Sequence, residues 1–289
     1  MTRLARWVKQ EGKDMGHLAN FHHRISGPDS APKLVFLHGL MGSAANWRKI
    51  VPAFEDQYNI LVFDQRGHGK SFHPDFGFSP EAYARDLQLI LDELGWKEGI
   101  YLVGHSLGGR NALQFAHSFA GRVKKLVIED IGPDAPPEAV EKIEFYLNSI
   151  PTPFQDKKAA KVFFDQEFPQ IIGEGKKGEV LSQYFYTNIE AQQDGTADWR
   201  FSRKAILGSI KEGRAYERWD QVRALRTPTL WIRGNQSEDL SSGTFQRVLE
   251  SSPFIRGVEI AGAGHWVHFD QPALFVKALK DFFIQDKST

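Results

Sequence analysis

The chain has no cysteine among its 289 residues, which excludes disulfides, thiolate catalysis and cysteine-based zinc sites. It also lacks an excess of either charge. Lys and Arg total 36, as do Asp and Glu, so nothing electrostatic favours DNA, RNA or an anionic lipid surface as main partner. No run approaches the ~20 apolar residues that a membrane span requires. The N-terminus has no apolar stretch of signal-peptide length, because Arg3, Arg6, Lys9, Glu11, Lys13 and Asp14 interrupt it. These absences lead to the expectation of a cytoplasmic protein without nucleic-acid or membrane partners; they say nothing of its oligomeric state. What is present, 41% hydrophobic and 25% charged residues, suits a globular protein with one large core, or a core plus a lid.

Short apolar runs alternate with helical patterns. Leu34–Leu37, Ile60–Phe63, Ile100–Val103, Leu126–Ile128 and Thr229–Ile232 are near-continuously hydrophobic, as strands buried on both faces are. His22-His23 lie in an expected early strand. Trp47, Ile50, Val51 and Phe54 follow helical spacing. Ser79-Pro80-Glu81 reads as a helix start, with Tyr83, Leu87, Ile90, Leu91 and Leu94 along one face. Leu274, Phe275, Ala278, Leu279, Phe282 and Phe283 predict a closing helix. The fold class is therefore α/β with a mostly parallel central sheet flanked by helices.

The alternation stops after Leu126–Asp130. From Asp134 to about Asp220 no strong strand run occurs, and the segment is helical and aromatic, with Phe145, Tyr146, Phe163, Phe164, Tyr184, Phe185, Tyr186, Trp199, Phe201, Tyr216 and Trp219. The expected organisation is a core of residues 1–133 and 221–289 with a helical cap over 134–220; a helical extension on the flank of the sheet is the alternative.

Three segments carry chemistry. Gly104-His105-Ser106-Leu107-Gly108 has the G-x-S-x-G pattern between an expected strand and an expected helix, Ala112–Phe119. A serine there sits in a strained turn, and the glycines let neighbouring backbone come close. A purely structural glycine turn is the bland alternative, and the strand–motif–helix placement argues against it. His38-Gly39-Leu40-Met41-Gly42 follows a strand, in the place of the loop that supplies one oxyanion donor. The backbone amides of Leu40 and Leu107 are therefore the candidate oxyanion hole. Ala261-Gly262-Ala263-Gly264-His265-Trp266 follows Val258–Ile260 and offers the late histidine that the chain order requires. His268 also qualifies by position, but His265 follows the glycine loop directly. A zinc site on His265 and His268 lacks a third ligand at a recognisable spacing. His38, Asp64, His68 and His105 read as structural, and Lys157-Lys158 and Lys176-Lys177 as solvated charges.

Together with Asp64-Gln65-Arg66-Gly67-His68-Gly69, these segments resemble the α/β-hydrolase superfamily over nearly the whole chain except the cap. Glu129-Asp130-Ile131-Gly132-Pro133 and Trp199-Arg200-Phe201 are similar to small bacterial esterases of the YbfF type and their mitochondrial relatives. The superfamily resemblance implies a cap inserted after the sixth strand. The triad acid stays open. In much of the superfamily it follows the seventh strand, here Glu238 or Asp239; in the YbfF-like group it follows the sixth, here Asp130, with Ser237 at the later position. Glu129 should face away by strand alternation.

The expected activity is a carboxylesterase-like serine hydrolase acting on a small-molecule ester, with Ser106 as nucleophile and His265 as general base through an acyl-enzyme. No metal or organic cofactor is required, and serine rather than aspartate argues against dehalogenase or epoxide-hydrolase chemistry. Phe164, Trp199 and Trp266 are the expected contributors to an apolar substrate pocket. Thioester and carbon–carbon bond hydrolysis are alternatives within the fold. A small-molecule receptor with vestigial hydrolysis, or a cofactor-free peroxidase, lies outside that class.

Overall fold

The computed structural model describes residues 16–136, 138–173 and 175–284, without the side chains of Lys176 and Lys177. The charged start of the chain, residues 1–15, and the Lys176-Lys177 charges lie outside the described residues.

Seven strands form the central sheet: β1 (His23–Ser26), β2 (Lys33–Leu37), β3 (Asn59–Phe63), β4 (Ile100–His105), β5 (Val123–Glu129), β8 (Thr229–Gly234) and β9 (Ile255–Ile260). Their order is β1-β3-β2-β4-β5-β8-β9, with β1 antiparallel and all other pairs parallel. Every residue of β3 and β8 is buried, which accounts for their unbroken apolar runs, whereas β9 lies at the edge and is exposed at several positions. Winding reverses direction between β2 and β4. At such a switch point the loops at the C-terminal strand ends diverge and leave a crevice.

Helices α1 (Pro80–Glu93) and α2 (Leu107–Ser118) cover one face, and Ser79 Oγ caps α1 by accepting from Ala82 N at 3.3 Å. Between β5 and β8 the chain inserts α3 (Glu138–Ser149), α4 (Lys157–Val162), α5 (Phe168–Ile172), α6 (Lys176–Tyr186) and α7 (Arg203–Gly213). It returns through α8 (Trp219–Ala224) and ends with α9 (Ser242–Glu250), α10 (Val267–Asp270) and α11 (Pro272–Ile284). The insert leaves after the fifth strand in chain order among the described residues; that strand is the expected Leu126–Asp130 run. No helix of the described residues is long and apolar enough to cross a membrane.

Three local expectations need correction. The Trp47–Phe54 segment is not one α-helix but two short 3₁₀ turns, Ala44–Lys49 and Val51–Ala53. Pro52 has no N–H for an α-helical bond, and its ring would crowd the carbonyl four residues back. Trp47, Ile50, Val51 and Phe54 are nevertheless all buried, so the apolar spacing marked the buried face correctly. The insert also holds a small antiparallel pair, β6 (Ile189–Ala191) and β7 (Ala197–Trp199), too short to leave a period in the sequence. Finally, its aromatic residues divide. Phe163, Phe164, Phe168, Phe185 and Trp199 form a cluster of their own, Trp219 joins the main core, and Phe145 and Tyr216 are exposed.

Trp47 is fully buried, with its ring 5.0 Å from Phe36 and 4.6 Å from His268. Trp47→Ala should therefore cost about 3–5 kcal/mol of stability, read from the urea midpoint at unchanged slope.

Candidate active site

β2 and β4 end side by side, with Leu37 opposite Gly104, so the loops leaving them meet over the sheet. Ser106 makes the turn from β4 into α2 with φ 51° and ψ −115°, a left-handed φ that costs a non-glycine residue energy. Two glycines allow it. A Cβ on Gly104 would lie 2.2 Å from Gly108 O, and one on Gly108 would lie 2.4 Å from Leu37 O. Those contacts are with backbone, which cannot swing aside. Gly39 in the opposite loop is also close, since its Cβ would stand 2.7 Å from His105 Nδ1 and 3.3 Å from the Ser106 Cβ. Leu107 is the first residue of α2, so its N–H has no partner within the helix and points where negative charge can collect.

The Leu40 loop is held from both sides. Gln65 N donates to His38 Nε2 at 2.9 Å, which leaves Nδ1–H to donate to Gly39 O at 2.8 Å. Burial keeps the His38 pKa down at about 4, so the ring stays neutral in this role. From the insert, Tyr184 donates its hydroxyl to Leu40 O at 2.5 Å. Asp64 accepts from Ala44 N and Lys70 N, consistent with a loop-fixing residue.

His265 lines the same cavity as Ser106, and its Nδ1 is 2.9 Å from Asp130 Oδ2. Asp130 is fully buried at the end of β5, with φ 52°. Its other oxygen accepts from Gly234 N at 2.9 Å, and Ser237 Oγ donates to the same Oδ2 that meets the histidine. Of the two later carboxylates, Asp239 comes within 3.6 Å of His265 Nδ1 but its side chain is 44% exposed; Glu238 is exposed and outside the cavity. Burial by itself pulls the His265 pKa down. The charge of Asp239, then the hydrogen bond and charge of Asp130, overcome it and raise the value to about 9.

Glu129, one residue earlier, faces the other way and accepts from His268 N at 2.8 Å and from His268 Nδ1 at 2.8 Å. His105 Nε2 donates to His265 O at 2.9 Å, tying the elbow to the histidine loop. The His105 pKa is held well below its ordinary value, first by burial and then by His265 and His268. His105, Glu129 and His268 offer ligand atoms within 4.8 Å of one another, a metal-like grouping that sequence spacing did not show. Glu129 and His268 are already bonded to each other, and His105 to the His265 carbonyl.

The cavity over Ser106 measures about 140 Å³. Its apolar walls include Leu40, Met41, Tyr146, Tyr184, Phe185 and Trp266, and it also receives Lys142, Arg214 and Asp239. Trp266, one of the three expected pocket residues, lines this cavity. Phe164 and Trp199 do not line this cavity; they are spent in the insert's own cluster, Trp199 stacked on Phe201 at 4.7 Å. Lys157 is not a freely solvated charge, because it donates to Tyr186 O at the end of α6. Lys142 and Arg214 carried no sequence signal, and Tyr184 was marked only as one of the insert's aromatic residues, since each reaches the site only through the packing of the insert on the core.

A serine on a strained strand-to-helix turn, at the switch point of a wound parallel sheet and beside a carboxylate-bound histidine, is the architecture of an α/β-fold hydrolase. The chain belongs to the family described as alpha/beta hydrolase fold, which matches residues 32–272. It is 30% identical over 261 residues to sn-1-specific diacylglycerol lipase ABHD11 of Danio rerio, covering 88% of this chain and 78% of that protein. It is 28% identical over 250 residues to esterase YbfF of Escherichia coli, covering 86% and 92%. Among solved structures, a marine microorganism esterase superposes with TM-score 0.76 at 29% identity, covering 91% of this chain and 98% of that one.

Replacing Glu129 by Leu would leave two buried donors of His268 without an acceptor, at ~1–3 kcal/mol each. Thermal unfolding of Glu129→Leu should show a fall in midpoint of several degrees. An unchanged midpoint would mean the pair contributes nothing.

Proposed function

We propose that the protein is a serine esterase that cleaves carboxylic esters with small acyl groups through an acyl-enzyme. The observation that carries the proposal is Ser106, strained at the elbow and sharing one cavity with a histidine whose far nitrogen is bonded to a buried aspartate. The similarity to esterase YbfF and to the marine esterase supports the same substrate class.

In this reading Ser106 Oγ attacks the ester carbonyl carbon while His265 Nε2 takes its proton. The tetrahedral oxyanion is held by the amides of Leu40 and Leu107, placed beforehand so that no reorganisation is needed as charge develops. His265 then protonates the departing alkoxide, and water activated by the same histidine hydrolyses the acyl-enzyme. Asp130 keeps Nδ1 protonated, so that Nε2 faces the serine, and stabilises the imidazolium. We assign it rather than Asp239 because it is buried and its remaining bonds, to Gly234 N and Ser237 Oγ, hold it still. Residues 134–220 act as a cap. The cavity is smaller than the ~300–1,000 Å³ of pockets for drug-sized ligands, which favours short acyl chains.

Purified wild-type protein should hydrolyse p-nitrophenyl acetate and take up a fluorophosphonate on the Ser106 peptide, with both lost in Ser106→Ala. Labelling of another serine would refute the assignment. Asp130→Asn should lower kcat by roughly 10⁴, as in a well-studied triad, whereas Glu238→Gln should cost about tenfold or less.

The pH dependence separates the two carboxylates near His265. A general base works only when neutral, so kcat/KM should rise with pH along an acid limb set by His265 in the free enzyme, near its raised value of about 9. Asp239 is the largest cause that raises this pKa. Asp239→Asn should therefore move the limb to lower pH and increase activity at neutral pH, while Asp130→Asn should lower activity at every pH. A pH–rate profile of Asp239→Asn identical to wild type would contradict these roles.

A further inference from the structure

Two cations enter the cavity of Ser106 and His265 without a bonded partner of their own. Arg214 follows the last turn of α7 and is half-buried, while Lys142 reaches in from the exposed side of α3. Among the described residues neither side chain makes a hydrogen bond or an ion pair. The neighbouring arginines differ in this. Arg110 donates Nη1 to Gly213 O at 3.1 Å and Nη2 to Asp134 O, and Arg218 donates to Glu81 at 3.1 Å and to Gln114. The acid nearest in effect to Arg214 is Asp239, whose Oδ2 lies 3.6 Å from His265 Nδ1.

Half-buried at the cavity wall, and with no bond to another described residue, the Arg214 guanidinium keeps its donors available to an anion that enters. Its five N–H donors form a planar fork that matches a carboxylate at two points. Burial pulls the Arg214 pKa down and Asp239 opposes it, the direction expected of a cation short of counter-charge.

We infer that the substrate carries a carboxylate a few bonds from the scissile carbonyl, bound by Arg214 with Lys142 assisting. This rests on the ester-hydrolase reading and narrows it. In a cavity of about 140 Å³ that opens on Ser106, a group held by Arg214 cannot be far from the reacting carbon. The carboxylate belongs either to the acyl part, as in a half-ester of a short dicarboxylic acid, or to the alcohol part, as in an acylated hydroxy acid. Both present the same anion to the same fork. The aromatic walls then serve the short stem between the two groups.

The test compares each charged ester with a neutral partner one methyl group larger. Monoethyl succinate against ethyl methyl succinate places the charge on the acyl side; O-acetyl glycolate against its methyl ester places it on the alcohol side. Wild-type kcat/KM should favour the charged member of one pair at least tenfold, which also identifies the side. Arg214→Gln should erase that preference, cutting kcat/KM for the charged ester at least tenfold more than for its neutral partner, and Arg214→Lys should restore part of it. Lys142→Gln should act in the same direction but less. Succinate should inhibit p-nitrophenyl acetate hydrolysis competitively in wild type and far less in Arg214→Gln, whereas butyrate should not discriminate. If wild type hydrolyses p-nitrophenyl acetate but prefers neutral esters in both pairs, the inference is overturned and the esterase reading stands. It is overturned equally if Arg214→Gln lowers charged and neutral esters alike, because Arg214 would then serve only to position Asp239. If p-nitrophenyl acetate is not hydrolysed at all, the esterase reading fails first and takes this inference with it.

Discussion

Three lengths of backbone come together at the β4–α2 turn with no room for a side chain between them. The Gly104 face lies against Gly108 O, and the Gly108 face against the Leu37 carbonyl, so β4, α2 and the end of β2 are locked in one arrangement. Ser106 is held in its left-handed conformation by that closeness, since relaxing the serine would drive the helix away from the loop. The strain is local, and the surrounding parallel sheet, buried on both faces, supplies the packing that maintains it. The position of the Leu40 amide, the start of α2 and the mouth of the cavity all follow from this contact.

The second organising feature is a pair of consecutive carboxylates at the end of β5. Strand alternation sends Glu129 to one side and Asp130 to the other, and each meets a histidine of the segment after β9. Glu129 secures His268 at the start of α10, beneath Trp47. Asp130 secures His265 where it faces the serine. Both acids have no exposed surface, and each is bonded as a buried charge must be. His105 completes the tie by bonding the backbone of His265 from within the elbow. The loop that carries the proposed base is thus fastened at three points, through different residues of two neighbouring strands.

The insert spends most of its aromatic residues on itself. A segment that leaves the sheet and returns must build its own hydrophobic cluster before it can present anything to the site, and Phe163, Phe164, Phe168 and Trp199 go into that cluster. It touches the core at a few defined places, among them Tyr184 on Leu40 O and Tyr83 against Ser209 at 2.7 Å. What remains for the cavity is a short apolar wall and the two cations whose role we have inferred. Charge at this site is unevenly distributed although the chain as a whole is neutral, because net composition averages over faces that folding separates.

Local pattern was sufficient for the parallel strands, the capped helix α1 and the elbow, because continuous burial, an N-cap with a first-turn proline, and glycines flanking a serine each leave a short-range signature. It also limited the histidine to two positions and the acid to three. It could not choose among the acids, since Asp130 and Asp239 are more than a hundred residues apart in chain and both come within reach of one imidazole; burial and the bonds to Gly234 and Ser237 distinguish them only once β5 and β8 lie side by side. The 3₁₀ turns around Pro52 and the three-residue strands of the insert were too short to show a period. Phe164 and Trp199 read as pocket residues because an aromatic composition does not say which neighbour a ring will choose. Arg214 and Lys142 had no signature at all. A lone cation looks the same in sequence whether it ends in water or over the serine of the elbow, and only the packing of α3 on α7, and of α7 on α1 and α2, decides which.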